Sequence, residues 1–315
     1  MTLLAIIIAL VIEQYRPLPV QRWVLDPLAR YFAFLDSKFN DGVYRHGIVA
    51  WIIGVALPAL LLLLVHWTLA DHNALAGLVL AIGTLYLTMG FRQFSHHFSD
   101  VQIALRAGEI SSARKLLADW RGVSGDRLSS NEVARLSIEQ ALVASHRHVI
   151  APLICFGLLG PGGALLYRMA LFAREYWTKG DAGEMGEMGE TRFGEFARRA
   201  FDLIDWLPLR LTAIGFAVTG DFEDSIFCWR TQATGWPEPE TGILLSSGAG
   251  AMGVRLGLPL QDGMGGLGGM DERPEMGLGD DADADYMQST VGLVWRTLVL
   301  CLLLMALVEI AGWVN

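Results

Sequence analysis

The side chains best suited to chemistry in this sequence are charged groups set in apolar surroundings, where an ionised group is costly and so pairs, faces water or serves a site. The densest set lies at 193–212: Phe193-Gly194, Arg199, Asp202, Trp206-Leu207-Pro208 and Arg210-Leu211-Thr212. Arg199 and Asp202 are three residues apart, which places them on one helix face. Arg210 could cap an interior acid or hold a phosphate. An interfacial ion-pair cluster that only fixes helix orientation explains the same run equally well. Arg92, His96 and His97 form a second set. Adjacent histidines point about 100° apart on a helix and cannot chelate one metal together. They read as an interfacial anchor, and Arg92 as a phosphate ligand or a snorkelling cation. Gly248-Ala249-Gly250-Ala251-Met252-Gly253 matches GxGxxG literally, but no strand–helix alternation surrounds it. A backbone-amide nest for an anion, or a close-packed turn before Val254-Arg255-Leu256-Gly257, is the better reading. The alternating acids at 280–285 resemble a cation site and read as a solvated run.

These residues must be positioned by a chain of which 53% is apolar and 18% charged, with a mean hydropathy of +0.39. That is more apolar surface than a soluble core needs, so lipid solvates part of it. The formal charge of -9 is unevenly spread, with three Lys/Arg against thirteen Asp/Glu at 221–285. No nucleic-acid partner is expected. Cys155, Cys228 and Cys301 form no CxxC pair, so neither a disulfide framework nor a zinc site is indicated, and no metal site is assigned.

About 20 mostly apolar helical residues cross a bilayer core of roughly 30 Å. Residues 47–70 and 74–90 fit this, and the short link Asp71-His72-Asn73 carries no Lys or Arg. The pair is expected to form a helical hairpin with its tip on the non-cytoplasmic side, leaving 14–46 and 91–148 in the cytoplasm. The apolar N-terminus, 2–12, lacks a basic region and a cleavage site, and reads as a retained short segment. Residues 149–172 are apolar but interrupted by Gly160-Pro161-Gly162-Gly163, predicting a kinked span or two half-helices; the Lys/Arg that follow favour re-entry. Residues 203–220 are a further, less secure span and 291–314 a closing helix. In all, five or six membrane segments are expected.

Residues 91–148 read as cytoplasmic helices, with Ser129-Ser130-Asn131-Glu132 a helix start. Residues 179–190 and 261–285, rich in Gly, Met and acids, read as flexible loops. The result is an all-α, polytopic helical membrane protein with five parts: N-terminal segments and hairpin (1–90), cytoplasmic helices (91–148), broken or re-entrant segments (149–220), an acidic loop-rich part (221–290) and a C-terminal helix (291–315).

Residues from about 90 to 259 resemble, in one order, the CobD/CbiB family of cobalamin biosynthesis, which includes adenosylcobinamide-phosphate synthase. The similarity is carried by Gly108-Glu109, Ala113-Arg114, Glu132, Ala134-Arg135, Glu139, Val149-Ile150-Ala151-Pro152-Leu153, Gly163-Ala164-Leu165-Leu166-Tyr167-Arg168, the 193–212 run, Trp229-Arg230 and 250–257. The resemblance implies a bacterial inner-membrane, multi-pass protein. It also implies ATP- and Mg2+-dependent amide formation between a corrinoid carboxylate and an amino-alcohol phosphate. On this reading Glu139 and Asp202 are catalytic, while Arg92, Arg199, Arg210 and Arg255 hold ligand or phosphate. The family's Glu-Asn-x-x-Asp-Gly stretch falls here on Val143-Ala144-Ser145-His146-Arg147-His148, and its His-Pro-Ser-Pro-Asn-x-Gly on Trp236-Pro237-Glu238-Pro239-Glu240-Thr241-Gly242. The first thirteen residues and the single closing helix also resemble AmpE. That likeness implies the alternative of a non-catalytic membrane sensor or regulator of β-lactamase induction.

Overall fold

The structure, a computed structural model, describes residues 2–16, 21–122, 127–184, 192–260 and 273–314. Helices dominate it. In chain order they are α1 (Thr2–Tyr15), α2 (Asp26–Phe39), α3 (Tyr44–Trp51), α4 (Leu57–His72), α5 (Ala74–Thr88), α6 (Phe91–Arg106), α7 (Ile110–Arg121), α8 (Ser130–Ser145), α9 (Ala151–Glu184), α10 (Arg192–Thr219), α11 (Phe222–Gln232), α12 (Pro239–Met252) and α13 (Ala284–Val314). The chain is an all-α helical protein with two compact units. One comprises Met1–Gly90, Arg147–Pro208 and Met305–Asn315; the other comprises Phe91–His146 and Leu209–Leu304.

In the first unit α3 and α4 are joined by a π-turn, Ile52–Ala56, into one helical stretch, Tyr44–His72. Asn73 then caps α5, its Oδ1 accepting from Leu75 N at 3.0 Å and Ala76 N at 3.3 Å. A Cβ on Gly77 would lie 3.0 Å from Ala70 Cα, so the absent side chain lets the two arms of the hairpin close. Helix α9 is not a straight rod. At Gly160 the backbone leaves helical geometry with φ 64°, ψ −156°, a conformation open essentially to glycine alone. The chain reverses there. Residues 155 and 163 would be about 12 Å apart along a straight helix, yet a Cβ on Gly163 would overlap the carbonyl oxygen of Cys155. Gly162, beside the turn, packs on Ala59 and Leu63, near the middle of Tyr44–His72. Aromatic packing fixes the unit's core: the Phe32 ring lies 5.3 Å from Phe172 and 5.2 Å from Trp177.

In the second unit α8 starts with a complete capping box, Ser129 with Glu132, as its sequence predicts. This helix is buried on nearly every side, with Leu136, Ile138 and Leu142 in the core. Helix α12 ends at Gly253 in the left-handed conformation, φ 67°, so the GxGxxG match is a helix terminus. Gly250 lies directly against the backbone of Asp224 and Ser225. Three short strands follow: β1 (Val254–Gly257), β2 (Glu275–Met276) and β3 (Asp280–Asp281). Their order is β2-β1-β3, with Leu256 opposite Met276 in an antiparallel pair and Val254 opposite Asp280 in a parallel one.

Two sequence expectations are corrected. The loop expected at 179–190 is helical as far as Glu184, and 185–190 lie outside the described residues. The loop expected at 261–285 instead supplies β2, β3 and the first turn of α13, because pairing with β1 satisfies its backbone; 261–272 lie outside the described residues. Among the described residues, three helices are long and apolar enough to cross a membrane: Tyr44–His72, Ser130–Thr178 and Ala284–Gly312. The second of these contains the reversal at Gly160. Thr2–Tyr15 and Ala74–Thr88 are shorter apolar helices. Helix α10, which contains the expected span 203–220, turns an apolar face outward: Leu203, Leu207, Leu211, Ile214 and Val218 are exposed, while Phe201, Asp205, Leu209, Thr212 and Phe216 are buried.

Candidate functional site

The most concentrated charge in the interior of the second unit gathers around Glu139 of α8. Its Oε1 accepts from Gly257 N at 2.9 Å, and its Oε2 accepts from the guanidinium of Arg273. Both residues of this pair are buried. Arg273 lies over the indole of Trp236, 5.4 Å from the ring centroid, within cation–π range. Arg135, one turn before Glu139 on the same face, is also buried. It donates to the carbonyl of Pro259 at 3.3 Å, and its Nε is buried without a hydrogen-bond partner. Arg121, at the end of α7, keeps contact with solvent. The surrounding protein lowers its pKa by desolvation, Glu139 opposes that shift and Arg273 adds to it. Gly257 makes the arrangement possible: its φ is 72° and a Cβ there would overlap the Pro274 carbonyl. Leu258 beside it also has positive φ, 61°, a conformation that costs a side-chain-bearing residue about 1–2 kcal/mol.

Three other expected ligand residues belong to this unit. Arg255 on β1 is paired with Asp281 at 2.9 Å and with Glu275 at 3.8 Å, so its fork is engaged at the sheet. Arg210 is half-buried on α10. Two residues further on, Thr212 meets the fully buried His146 at 2.9 Å. Arg92 opens α6, and its side chain falls outside the described residues. His97 stacks on Trp120 with ring centroids 6.1 Å apart, the contact of an anchor.

In the first unit the charged groups form a seam between α9 and α10. Tyr167 donates from its hydroxyl to Asp205 at 2.9 Å, both groups being buried. One turn earlier on α10, Asp202 lies 3.9 Å from Arg174, whose guanidinium sits 5.2 Å from the centre of the Phe201 ring. Arg199 makes its ion pair with Glu195, one turn away, and lies over Tyr44. Arg168, buried, donates to His148 Nδ1 at 2.7 Å. A guanidinium has only donors, so that ring nitrogen is the acceptor and carries no proton. Residues 148 and 168 would be about 30 Å apart along a straight helix, so this bond and the reversal at Gly160 require each other.

Beyond geometry, a family model for the CobD/Cbib protein matches residues 2–294. The chain belongs to the CobD/Cbib family. Among similar proteins, the cobalamin biosynthesis protein CobD of Stutzerimonas stutzeri is 31% identical over 98% of each chain. The protein of the same name from Chromobacterium violaceum is 36% identical over 77% of this chain and 75% of its own. That of Leptospira interrogans is 26% identical over 61% of this chain and 58% of its own. No solved structure matches. These relatives lend no support to the regulatory alternative.

In this CobD/Cbib chain, sequence reasoning singled out Glu139 but not the three arginines gathered around it. Arg135 could have been found: with Glu139 it makes an i, i+4 pair on a helix whose other buried residues include Leu136, Ile138 and Leu142. Arg273 lies in a Gly-, Met- and acid-rich stretch whose composition suggests a solvated loop. Its partner is 134 residues away, and no local pattern reports such a contact. Arg121 looks like an ordinary basic last turn of a surface helix.

Proposed function

We propose that this protein acts in cobalamin assembly as an amide-forming synthase in the bacterial inner membrane. On this proposal it joins the carboxylate of adenosylcobyric acid to the amine of an amino-alcohol phosphate, driven by ATP with Mg2+. The observation that carries the proposal is the family match along residues 2–294, together with the buried Glu139, in a stretch that resembles the family, and its buried partner Arg273. The reaction needs an activated carboxylate, cations for the charge that develops and a group to take the amine's proton. Asp202, partly exposed beside Arg174, suits proton transfer better than Glu139, whose two oxygens are committed to Gly257 and Arg273. Glu139 then acts as a positioning residue. Arg92, Arg199 and Arg210 are the proposed cationic ligands, and Arg255 supports β1. Mg2+ reaching a nucleotide through phosphate oxygens and water needs one or two protein carboxylates at most, which this chain's acidic complement can supply.

The test is conversion of adenosylcobyric acid by the purified full chain, with ATP, Mg2+ and a panel of amino-alcohol phosphates. Nucleotide-dependent amide product is expected, together with its loss in Arg199→Ala and Asp202→Ala. No turnover with any member of the panel, from well-folded protein, would remove the synthase reading.

A further inference from the structure

We propose that Arg135 and Arg273, with Arg121 at the solvent side, form an oxyanion subsite in the second unit, of a charge that suits a phosphoryl group, with Glu139 as the internal counter-ion that holds Arg273 in place. The oxyanion site rests on the buried, unpartnered Nε of Arg135 and on the Glu139–Arg273 pair beside it. Naming its occupant as a phosphoryl group rests on the reaction proposed above.

Charge is the first argument. Among the described residues, two buried guanidiniums, Arg135 and Arg273, share one carboxylate, Glu139, whose field also reaches the exposed Arg121. Glu132 and Asp281 influence Arg135 only from a distance. Glu132 is committed to the cap of α8, accepting from Ser129 N at 2.7 Å, and Asp281 to Arg255. A buried cation without an anion of its own is strongly unfavourable, so the two buried guanidiniums with one carboxylate are incomplete as a set of ion pairs. The state of Arg135 is the second, independent argument. The hydrogen bond its guanidinium makes goes to a neutral carbonyl, and its Nε, well inside the unit, has no partner. A guanidinium presents planar donor pairs that match phosphate oxygens, and a bound oxyanion would satisfy that orphan. Access is the third: Arg121 keeps contact with solvent and gives the cluster a mouth.

Titration calorimetry of the full chain in detergent, with inorganic phosphate and pyrophosphate as probes, tests this. Saturable binding is expected, weakened about tenfold or more in Arg121→Ala and in Arg135→Gln, the scale of one charge-assisted hydrogen bond. Glu139→Gln should tighten binding, since the amide oxygen can still accept from Gly257 while Arg273, no longer held by an anion, is released to the bound phosphate. A purely structural role for the cluster predicts no such gain. Arg121 is exposed, so Arg121→Ala keeps the test valid if Arg135→Gln does not fold. Absence of binding to folded protein, or affinities unchanged in both Arg121→Ala and Glu139→Gln, would overturn the subsite. Competition by an amino-alcohol phosphate would identify the acceptor's phosphate as the occupant, and competition by a non-hydrolysable ATP analogue the nucleotide's. Phosphate binding with these variant effects but without amide formation would keep the subsite and sink the reaction; turnover with variant-insensitive phosphate binding would do the reverse.

Discussion

Glu139 shows how one buried carboxylate can organise distant sequence. It ties α8 to the end of β1 through Gly257 and to Arg273, which precedes β2. Removing one partner of a buried ion pair leaves the other charge uncompensated and typically costs 3–5 kcal/mol, an order-of-magnitude figure. Arg273→Met is therefore expected to destabilise the protein by about that amount in thermal or denaturant unfolding, and Glu139→Gln combined with Arg273→Met to recover much of the loss. A change within about 1 kcal/mol for the single variant would show the pair to be structurally idle. At Cys228, burial first and Asp224 second push the thiol up to about 11, despite an opposing backbone hydrogen bond from Gly277. The folded thiol thus holds its proton where the unfolded one, near 9.0, releases it. Its contribution is fully present below the unfolded value and is lost as pH rises through the folded one. Between about 9 and 11 the wild type should lose stability relative to Cys228→Ala, as seen by subtracting the two pH profiles of the melting temperature. Parallel profiles would contradict the assignment. What the sequence revealed at this scale follows from distance along the chain. Arg135 and Glu139 share one helical turn and were open to inspection, whereas Arg273 was disguised by its neighbours and linked to them only by tertiary folding.

At the level of elements, Gly160 and Gly163 do different work in the same hairpin. Gly160 has open space around the position of a Cβ, so alanine there would suffer only the backbone penalty of its glycine-specific conformation, about 1–3 kcal/mol. Gly163 faces the Cys155 carbonyl directly, so alanine would have to separate the two arms. Gly163→Ala is expected to cost more than Gly160→Ala in thermal unfolding, and to weaken the Arg168–His148 contact at the base. The opposite order would mean that the arms separate easily. The Gly-Pro-Gly-Gly run announced a break in the sequence. Whether that break is a kink or a reversal is decided by contacts such as Arg168 with His148, which a local reading does not contain. The extension of α9 to Glu184 and the pairing of β2 and β3 with β1 were hidden in the same way. Glycine and acidic residues argue for loops by composition, while helix continuation and strand pairing supply the backbone hydrogen bonds that decide the matter.

At the scale of the whole molecule, the apolar surface calls for lipid. Tyr44–His72 and Ala284–Gly312 are only 22% buried over their most apolar windows, and Leu60, Leu61, Leu64, Val299, Leu303 and Leu307 point outward. At 29 residues each, these helices are about 43 Å long, more than the roughly 30 Å hydrocarbon core. In α9 the residues before the reversal at Gly160, 151–159, span about 14 Å, near half that thickness, while those after it, 161–184, span about 36 Å. We infer a re-entrant segment here, one that enters and leaves on one side. Together with the Lys/Arg distribution, this gives a topology that single cysteines can read after Cys155, Cys228 and Cys301 are replaced by alanine. In intact cells, a membrane-impermeant maleimide should label a cysteine at Asn73, the turn between α4 and α5. Cysteines at Lys38 and Lys115 should react only once the membrane is opened, and one at Leu159, next to the reversal, should react in neither case. Labelling of Leu159 from outside would make 149–172 a complete crossing and remove the re-entrant reading. Labelling of Lys38 from outside would invert the orientation while leaving the hairpin untouched, so the two conclusions stand or fall separately.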